Sequence, residues 1–341
     1  MIGPITGGLI HETWRVEAGG TEWVLQRLNR SVFRDIDGVM RNTAAVVAHL
    51  ERRLMASGAR DRHRRALALV PATNGRLWVE DEEGGAWRCT SYIAGTIALS
   101  RASTPAVARE AGRAFGLFTR LMHDFDEPLV VTLPGFHHTA TRVGTFETAI
   151  ARDTAHRLAS VGAEVEILRE FRPLAHVLPP LIAAGAIPSR AVHNDAKIAN
   201  LLFDAATAEA LAVIDLDTMM PGSALHDVGD LIRSTVGTAE EDEPELFNMG
   251  VRPEYFAALV EGWFAGAGDV LTPLERELTV TAARILTFEQ AVRFLTDHLD
   301  GDRYYPIERP DHNLDRARAQ IALLLDLTDR MEELEAIVAA S

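Results

Sequence analysis

His193-Asn194-Asp195-Ala196-Lys197-Ile198-Ala199-Asn200, running on into Leu201-Leu202-Phe203-Asp204, is the stretch on which the reading of this chain turns. A second apolar run, Leu211-Ala212-Val213-Ile214, follows and ends in Asp215-Leu216-Asp217. The runs 201–203 and 211–214 predict a hairpin. Its polar flanks, Asp195 to Asn200 on one side and Asp215 on the other, then share one edge. Taken singly, each flank residue has a plain structural explanation: Asp195 and Asn200 in turns, Asp215 at a strand end, His193 in the core. The joint spacing is what points to chemistry.

In-line phosphoryl transfer needs few parts: a carboxylate to orient the attacking hydroxyl, a carboxylate and an amide oxygen to hold Mg²⁺, and a cation near the transferring group. Asp195, Asp215, Asn200 and Lys197 supply them. His-x-Asp-x-Lys-x-x-Asn has the spacing of a kinase catalytic loop, with His193 read as its support. Lys197 is the only lysine among 34 basic residues. In a chain otherwise served by arginine, a lone lysine suggests a place where a planar fork does not fit. With no second lysine, a Gly-x-x-x-x-Gly-Lys-Ser/Thr phosphate loop is excluded, and no Cys/His cluster has zinc spacing.

Composition narrows the partners. Against 49 acidic residues, the net charge of −15 disfavours nucleic acid and anionic membranes. One cysteine, Cys89, permits no intrachain disulfide, no signal peptide is visible, and no uncharged run is long enough to span a bilayer, so the chain reads as cytoplasmic.

Outward from the hairpin, the chain divides into a strand-rich N-terminal part, residues 1–94, and a helical part, 95–341. Strands are predicted at Thr21–Leu28, Arg76–Glu80 and Ala86–Ile93, and around a glycine turn at Gly7-Gly8. A helix is predicted over about Asp35–Met55. Thr104-Pro105 opens a helix to about Asp124. Helical spacing continues over about 145–185 with breaks at Pro173 and Pro179-Pro180, then over 225–235, 253–265, 273–299 and 313–339.

These residues resemble the aminoglycoside phosphotransferase and choline kinase superfamily, which implies an α+β, bilobal protein-kinase-like fold. Gly7-Gly8-Leu9-Ile10-His11-Glu12-Thr13-Trp14, Val24-Leu25-Gln26-Arg27-Leu28-Asn29, Asp215-Leu216-Asp217-Thr218 and Thr296-Asp297-x-Leu299-x-Gly301-Asp302-x-Tyr304 are similar to N-acetylhexosamine 1-kinases. The resemblance runs from Gly7 to about Leu325. It implies ATP as co-substrate with Mg²⁺ on Asn200 and Asp215, and Asp195 as base. It also implies that Gly7, Gly8, His11 and Thr13 cover the phosphates, and that Tyr92 and Ile93 form the adenine-binding connection. Asp195, Asp217, Thr218, Arg293 and Tyr304 would line the site of an N-acetylated amino sugar. Arg293 has a competing explanation as a helix ion pair with Glu289 and Asp297, one turn away on either side. Tyr304 has one as a core aromatic. Asp227 and Asp230 are expected to brace the catalytic loop.

One departure matters. The third-strand lysine of the superfamily falls on Gln26, and its helix glutamate on Asn42 or Thr43, which suggests a neutral amide pair in place of an ion pair. An inactive ATP-binding module remains an alternative, as does an aminoglycoside kinase that offers the acidic run Glu240–Glu245 to a polycation. Arg293, Arg303 and Arg309 favour a neutral acceptor.

Overall fold

Alternating and helical sequence patterns resolve into eleven strands and eleven α-helices in a computed structural model that describes residues 2–5 and 10–341. The strands are β1 (Ile2–Pro4), β2 (Glu12–Ala18), β3 (Thr21–Leu28), β4 (Leu69–Val70), β5 (Val79–Glu80), β6 (Ala86–Ser91), β7 (Thr96–Ala98), β8 (Arg190–Val192), β9 (Leu201–Asp204), β10 (Ala210–Val213) and β11 (Met220–Gly222). The helices are α1 (Ile36–Ala56), α2 (Pro105–Leu121), α3 (Thr139–Arg152), α4 (Gly162–Glu170), α5 (Leu178–Ala183), α6 (Ala224–Thr235), α7 (Pro253–Ala267), α8 (Pro273–Glu277), α9 (Thr279–Leu299), α10 (His312–Asp329) and α11 (Met331–Ala340). The glycine turn at Gly7-Gly8 lies outside the described residues.

The N-terminal sheet is antiparallel in the order β1-β2-β3-β6, with β4 and β5 sharing the far edge of β6. Leu28, Phe33, Ile36, Val39, Met40 and Ala86 form a small core between this sheet and α1. The register sets Thr13, Gln26 and Arg88 side by side across β2, β3 and β6. Strand β6 alternates between buried and half-buried residues, so Arg88 lies on the inward face with Ala86 and Thr90. The expected strand at 76–80 shortens to Val79–Glu80, the part that pairs with β6.

The larger core lies among the helices, around Trp263, Phe115, Phe256 and Phe288. There α2 and α7 approach backbone to backbone through two glycine pairs. A Cβ at Gly112 or Gly116 would sit 2.1 Å from the Leu259 carbonyl or 2.3 Å from that of Trp263, and one at Gly262 or Gly266 would meet Arg109 and Arg113 in the same way. Side chains normally hold packed helices about 8–10 Å apart; here none can intervene.

Capping explains several helix starts. The Asp35 carboxylate accepts from Gly38 N at 2.8 Å, and Thr272 and Glu275 form a reciprocal capping box. Pro173 and Pro179-Pro180 start helical turns instead of breaking them, because proline's missing N–H costs nothing in the first turn. Helix α3 begins earlier than the spacing suggested, capped by His138. The expected helices 273–299 and 313–339 each divide, at Leu278 and Arg330, where ψ rises to 8° and 11°. No helix among the described residues is long and apolar enough to cross a membrane.

Candidate active site

The predicted hairpin forms as β9 and β10, with Leu201 opposite Val213. Ile214 N donates to the Asn200 carbonyl at 3.0 Å, which brings Asn200 and Asp215 to one edge. Strand β8 delivers the preceding loop. His193, wholly buried, stands edge-on to Phe115 and Phe118 of α2 at 5.5 and 5.9 Å. Its Nε2 donates to the Ile214 carbonyl at 2.9 Å, and its Nδ1 accepts from Asp195 N at 3.3 Å. Asn194 adopts a left-handed φ of 63°, which asparagine tolerates. Its Nδ2 donates to the Thr218 carbonyl at 3.0 Å. Asp227, in the first turn of α6, accepts from His193 N at 2.9 Å and Asn194 N at 2.7 Å. Burial pushes the Asp227 carboxyl up, against the pull of His193 and these two donors. Asp227 thus braces the loop as expected.

Beyond this frame stand four polar side chains. Lys197 Nζ is 3.0 Å from Asp195 Oδ2. Burial works to raise the Asp195 carboxyl, but the Lys197 ammonium, His193 and Asn200 outweigh it and hold the group at about 2. Asn200 Nδ2 donates to Asp195 Oδ2 at 2.9 Å and to its carbonyl at 2.8 Å, so the amide oxygen is turned away from Asp195. The Asp215 carboxylate, at a left-handed φ of 60°, has no hydrogen bond or ion pair among the described residues. Burial, then Asp217 and Asp195, push its carboxyl up. A buried carboxylate short of counter-charge beside an open amide oxygen is a hard-oxygen donor set that fits Mg²⁺. Ligand atoms of His11, Asp215 and Asp217 also lie within 4.8 Å of one another.

Asp217 is already engaged. Its side chain is fully buried, and Arg88 grips both oxygens, Nη2 to Oδ2 at 2.9 Å and Nη1 to Oδ1. His11 Nδ1 accepts from Asn29 N at 3.0 Å, so its Nε2 carries the proton it donates to Asp217 Oδ2 at 2.6 Å. The sugar contact implied for Asp217 does not fit this placement, because the carboxylate is spent on a buried pairing and does not line the cleft. Thr218 lines the cleft, but its hydroxyl donates to the His193 carbonyl at 2.7 Å. The amide pair suggested for Gln26 is also absent. Asn42 binds Val130 and the Met219 carbonyl, and Thr43 donates to Val39. Gln26 instead accepts from Arg88 Nε at 2.9 Å and donates to Thr13 Oγ1 at 3.2 Å.

A cleft of about 1420 Å³ gathers the remaining candidates. His11, Thr13, Gln26, Tyr92 and Ile93 line its sheet side, and Asp195, Lys197, Asn200, Asp215, Arg293 and Tyr304 its helical side. Gly7 and Gly8 lie outside the described residues. Arg293, on α9, is no ion pair of its own helix. Glu289 turns to His137 Nδ1 at 2.8 Å and Thr139 at 2.6 Å, and Asp297 accepts the backbone N–H groups of Arg303, Tyr304 and Tyr305. The Arg293 guanidinium donates to Gln290 at 3.0 Å and lies 5.6 and 5.5 Å from the Phe136 and Tyr305 rings. Tyr304 is 53% exposed, so it is not a core residue.

Two features escaped the sequence reading. His137 links α9 to the loop, with Nδ1 on Glu289 and Nε2 donating to the Asn194 carbonyl at 2.6 Å. Burial opposes its charge, but Glu289 outweighs it and raises the His137 pKa; Glu289 is held at about 2 by His137, against burial. Arg88 is the other. Its signal was an arginine at an inward position of an alternating strand.

A strand-rich sheet over a helical body, with this loop in the cleft between them, defines a class: a phosphotransferase that uses ATP to phosphorylate an alcohol group of a small molecule. The chain belongs to the phosphotransferase enzyme family, whose model matches residues 2–274. The fold is similar to a microcompartment-associated aminopropanol kinase, with TM-score 0.59 and 14% identity over 98% of this chain and 93% of that one. It is also similar to a spectinomycin phosphotransferase solved with ADP and spectinomycin, with TM-score 0.56 and 13% identity over 94% and 92%. A choline/ethanolamine kinase family protein from Mesorhizobium loti aligns with TM-score 0.52 and 18% identity over 100% and 93%.

Proposed function

We propose that this enzyme phosphorylates the anomeric hydroxyl of an N-acetylhexosamine to give the sugar 1-phosphate. The observation that carries the reading is the charge state of the acceptor wall. A polycationic acceptor needs free carboxylates, and those of the wall that line the cleft are occupied. Asp230 and Glu241 both pair with Arg233, Asp242 pairs with Arg309 and His312, and Glu240 lies 3.6 Å from Arg101. Arg293, by contrast, spends one of its five N–H donors on Gln290 and faces the cleft. It suits an acceptor with a carbonyl oxygen, such as an acetamide. Tyr304 beside it offers a hydroxyl and a face for a sugar ring.

Asp195 stays ionised at physiological pH, so its work is to orient the acceptor hydroxyl and take the proton late, as a loose transition state requires. Lys197, next to Asp195, meets the charge of the transferring group. Asn200 and Asp215 would hold Mg²⁺, which neutralises phosphate charge when bound.

A product assay decides the reading. A sugar 1-phosphate is acid-labile and has no reducing end. The expected result of a screen with ATP is such a product from N-acetylglucosamine or N-acetylgalactosamine, with glucose much poorer because it leaves Arg293 unpaired. Turnover of aminoglycosides or small amino alcohols, with none of the acetamido sugars, would overturn it.

A further inference from the structure

We infer that Arg88 is the cation that grips the nucleotide's phosphates, placed on β6 and fixed there by Gln26 and Asp217. The inference rests on the use of ATP, not on the identity of the acceptor. A nucleoside triphosphate brings several negative charges into the cleft, and its phosphates must lie against Asp215 and Asn200. On the sheet side of the cleft, the third-strand position for a cation holds the neutral Gln26. Other arginines lining the cleft have work elsewhere: Arg15 pairs with Glu22 and covers Tyr92, and Arg101 binds the Thr238 carbonyl.

Arg88 stands one strand over from Gln26 in direct register. Its Nε is fixed on Gln26 Oε1 at 2.9 Å, which sets the plane of the guanidinium. One N–H from each terminal nitrogen goes to Asp217, and the second N–H of each is left over. Asp217's ligand atom lies within 4.8 Å of Asp215's, so the leftover edge is within reach of phosphates held at Asp215. Arg88 itself lines the cleft, whereas Asp217 does not. Arginine's five donors in a fixed plane let Arg88 hold the Gln26 amide and both Asp217 oxygens and still keep two N–H groups for a phosphate, whereas a lysine has three donors in all. Asp217 keeps the buried guanidinium from being an uncompensated charge while the cleft is empty.

The test is binding of ADP and of adenosine to the full chain without acceptor, by calorimetry, so that its outcome is independent of the sugar reading. Arg88→Met should weaken ADP about 10–100-fold, the loss of one or two charge-assisted hydrogen bonds, and leave adenosine unchanged. Arg88→Lys should recover part of the ADP affinity. Because Arg88→Met strands the Asp217 carboxylate, the paired variant Arg88→Met/Asp217→Asn removes both charges and should show the same split between ADP and adenosine. Unchanged ADP affinity in both variants, or an equal loss for ADP and adenosine, would overturn the assignment.

Discussion

The catalytic loop and the proposed acceptor wall line the helical side of one cleft and are built on opposite plans. The frame of the loop is saturated: His193, Asn194, Thr218 and Asp227 satisfy one another and the backbone. The wall keeps capacity in reserve. Arg293 uses one donor on Gln290, and Tyr304 is more than half exposed. A saturated loop has one geometry to offer, which is what positioning a hydroxyl for in-line attack demands. An unsaturated wall pays its hydrogen bonds only to the right acceptor, which is how a site discriminates. On the proposed reading, chemistry and choice are thus separated in space.

Breaking the loop should have the largest effect. Asp195→Asn keeps the fold but loses the orienting carboxylate, and kcat should fall about 10²–10⁴-fold. Steady-state kinetics with saturating ATP and acceptor measure it; near wild-type kcat would remove Asp195 from the reaction. Breaking the wall should be milder and of a different kind. Arg293→Met should raise the acceptor KM about 10–100-fold, with the KM for ATP unchanged. A loss confined to the ATP KM would put Arg293 on the wrong side of the cleft.

The smallest effect sharpens the comparison, because it concerns a side chain that hydrogen-bonds both regions. His137 binds Glu289 of the wall helix and the Asn194 carbonyl of the loop. Its folded pKa is raised above the ordinary 6.5, so its contribution to stability is full below that pH and fades as pH climbs through the raised value. Glu289 contributes above its ordinary 4.5 and loses that contribution as pH falls toward about 2. Neighbouring His226, 4.9 Å from His137, is pushed down to about 3 by burial and then by His137, and stays neutral from about pH 5 upward. His137→Gln should therefore lower the Tm most near pH 5–6, by about 3–5 °C, and less by pH 9. Melting curves across pH that run parallel in the two proteins would show that the bridge carries no charge.

The same contrast governs what could be read from sequence. Asp195, Lys197 and Asn200 lie within one turn of chain, and a hairpin brings Asp215 to them, so contiguous spacing displays the whole set. The fold class came from the resemblance those motifs carry, while alternation at Thr21–Leu28 and Ala86–Ile93 and the cap-plus-proline helix starts placed individual elements. The wall is assembled from residues 137, 230–241, 289–293 and 304–305, and no local period connects them. Glu289 was visible only as a helix neighbour of Arg293. Its true partner, His137, is 152 residues away. Arg88 was missed for a similar reason: Gln26 marked the place where a cation was wanting, but strand order, not sequence order, decides which residue stands beside it. Asp217 misled in the opposite way. The resemblance put it on the acceptor site, whereas the tight turn Leu216–Thr218 carries its carboxylate inward onto Arg88.

The glycine seam between α2 and α7 bears on this division of labour through rotamers. Gly112, Gly116, Gly262 and Gly266 have no side chain, so the contact has no alternative packing into which it can relax. In ordinary helix pairs the spacing between the axes depends on the side chains at the contact. This pair has one spacing. Phe115 and Phe118 ride on α2 and press on His193, so the platform under the catalytic loop inherits a single height. The proposed acceptor wall, carried on α9 and the loop after it, meets that platform through the His137 bridge.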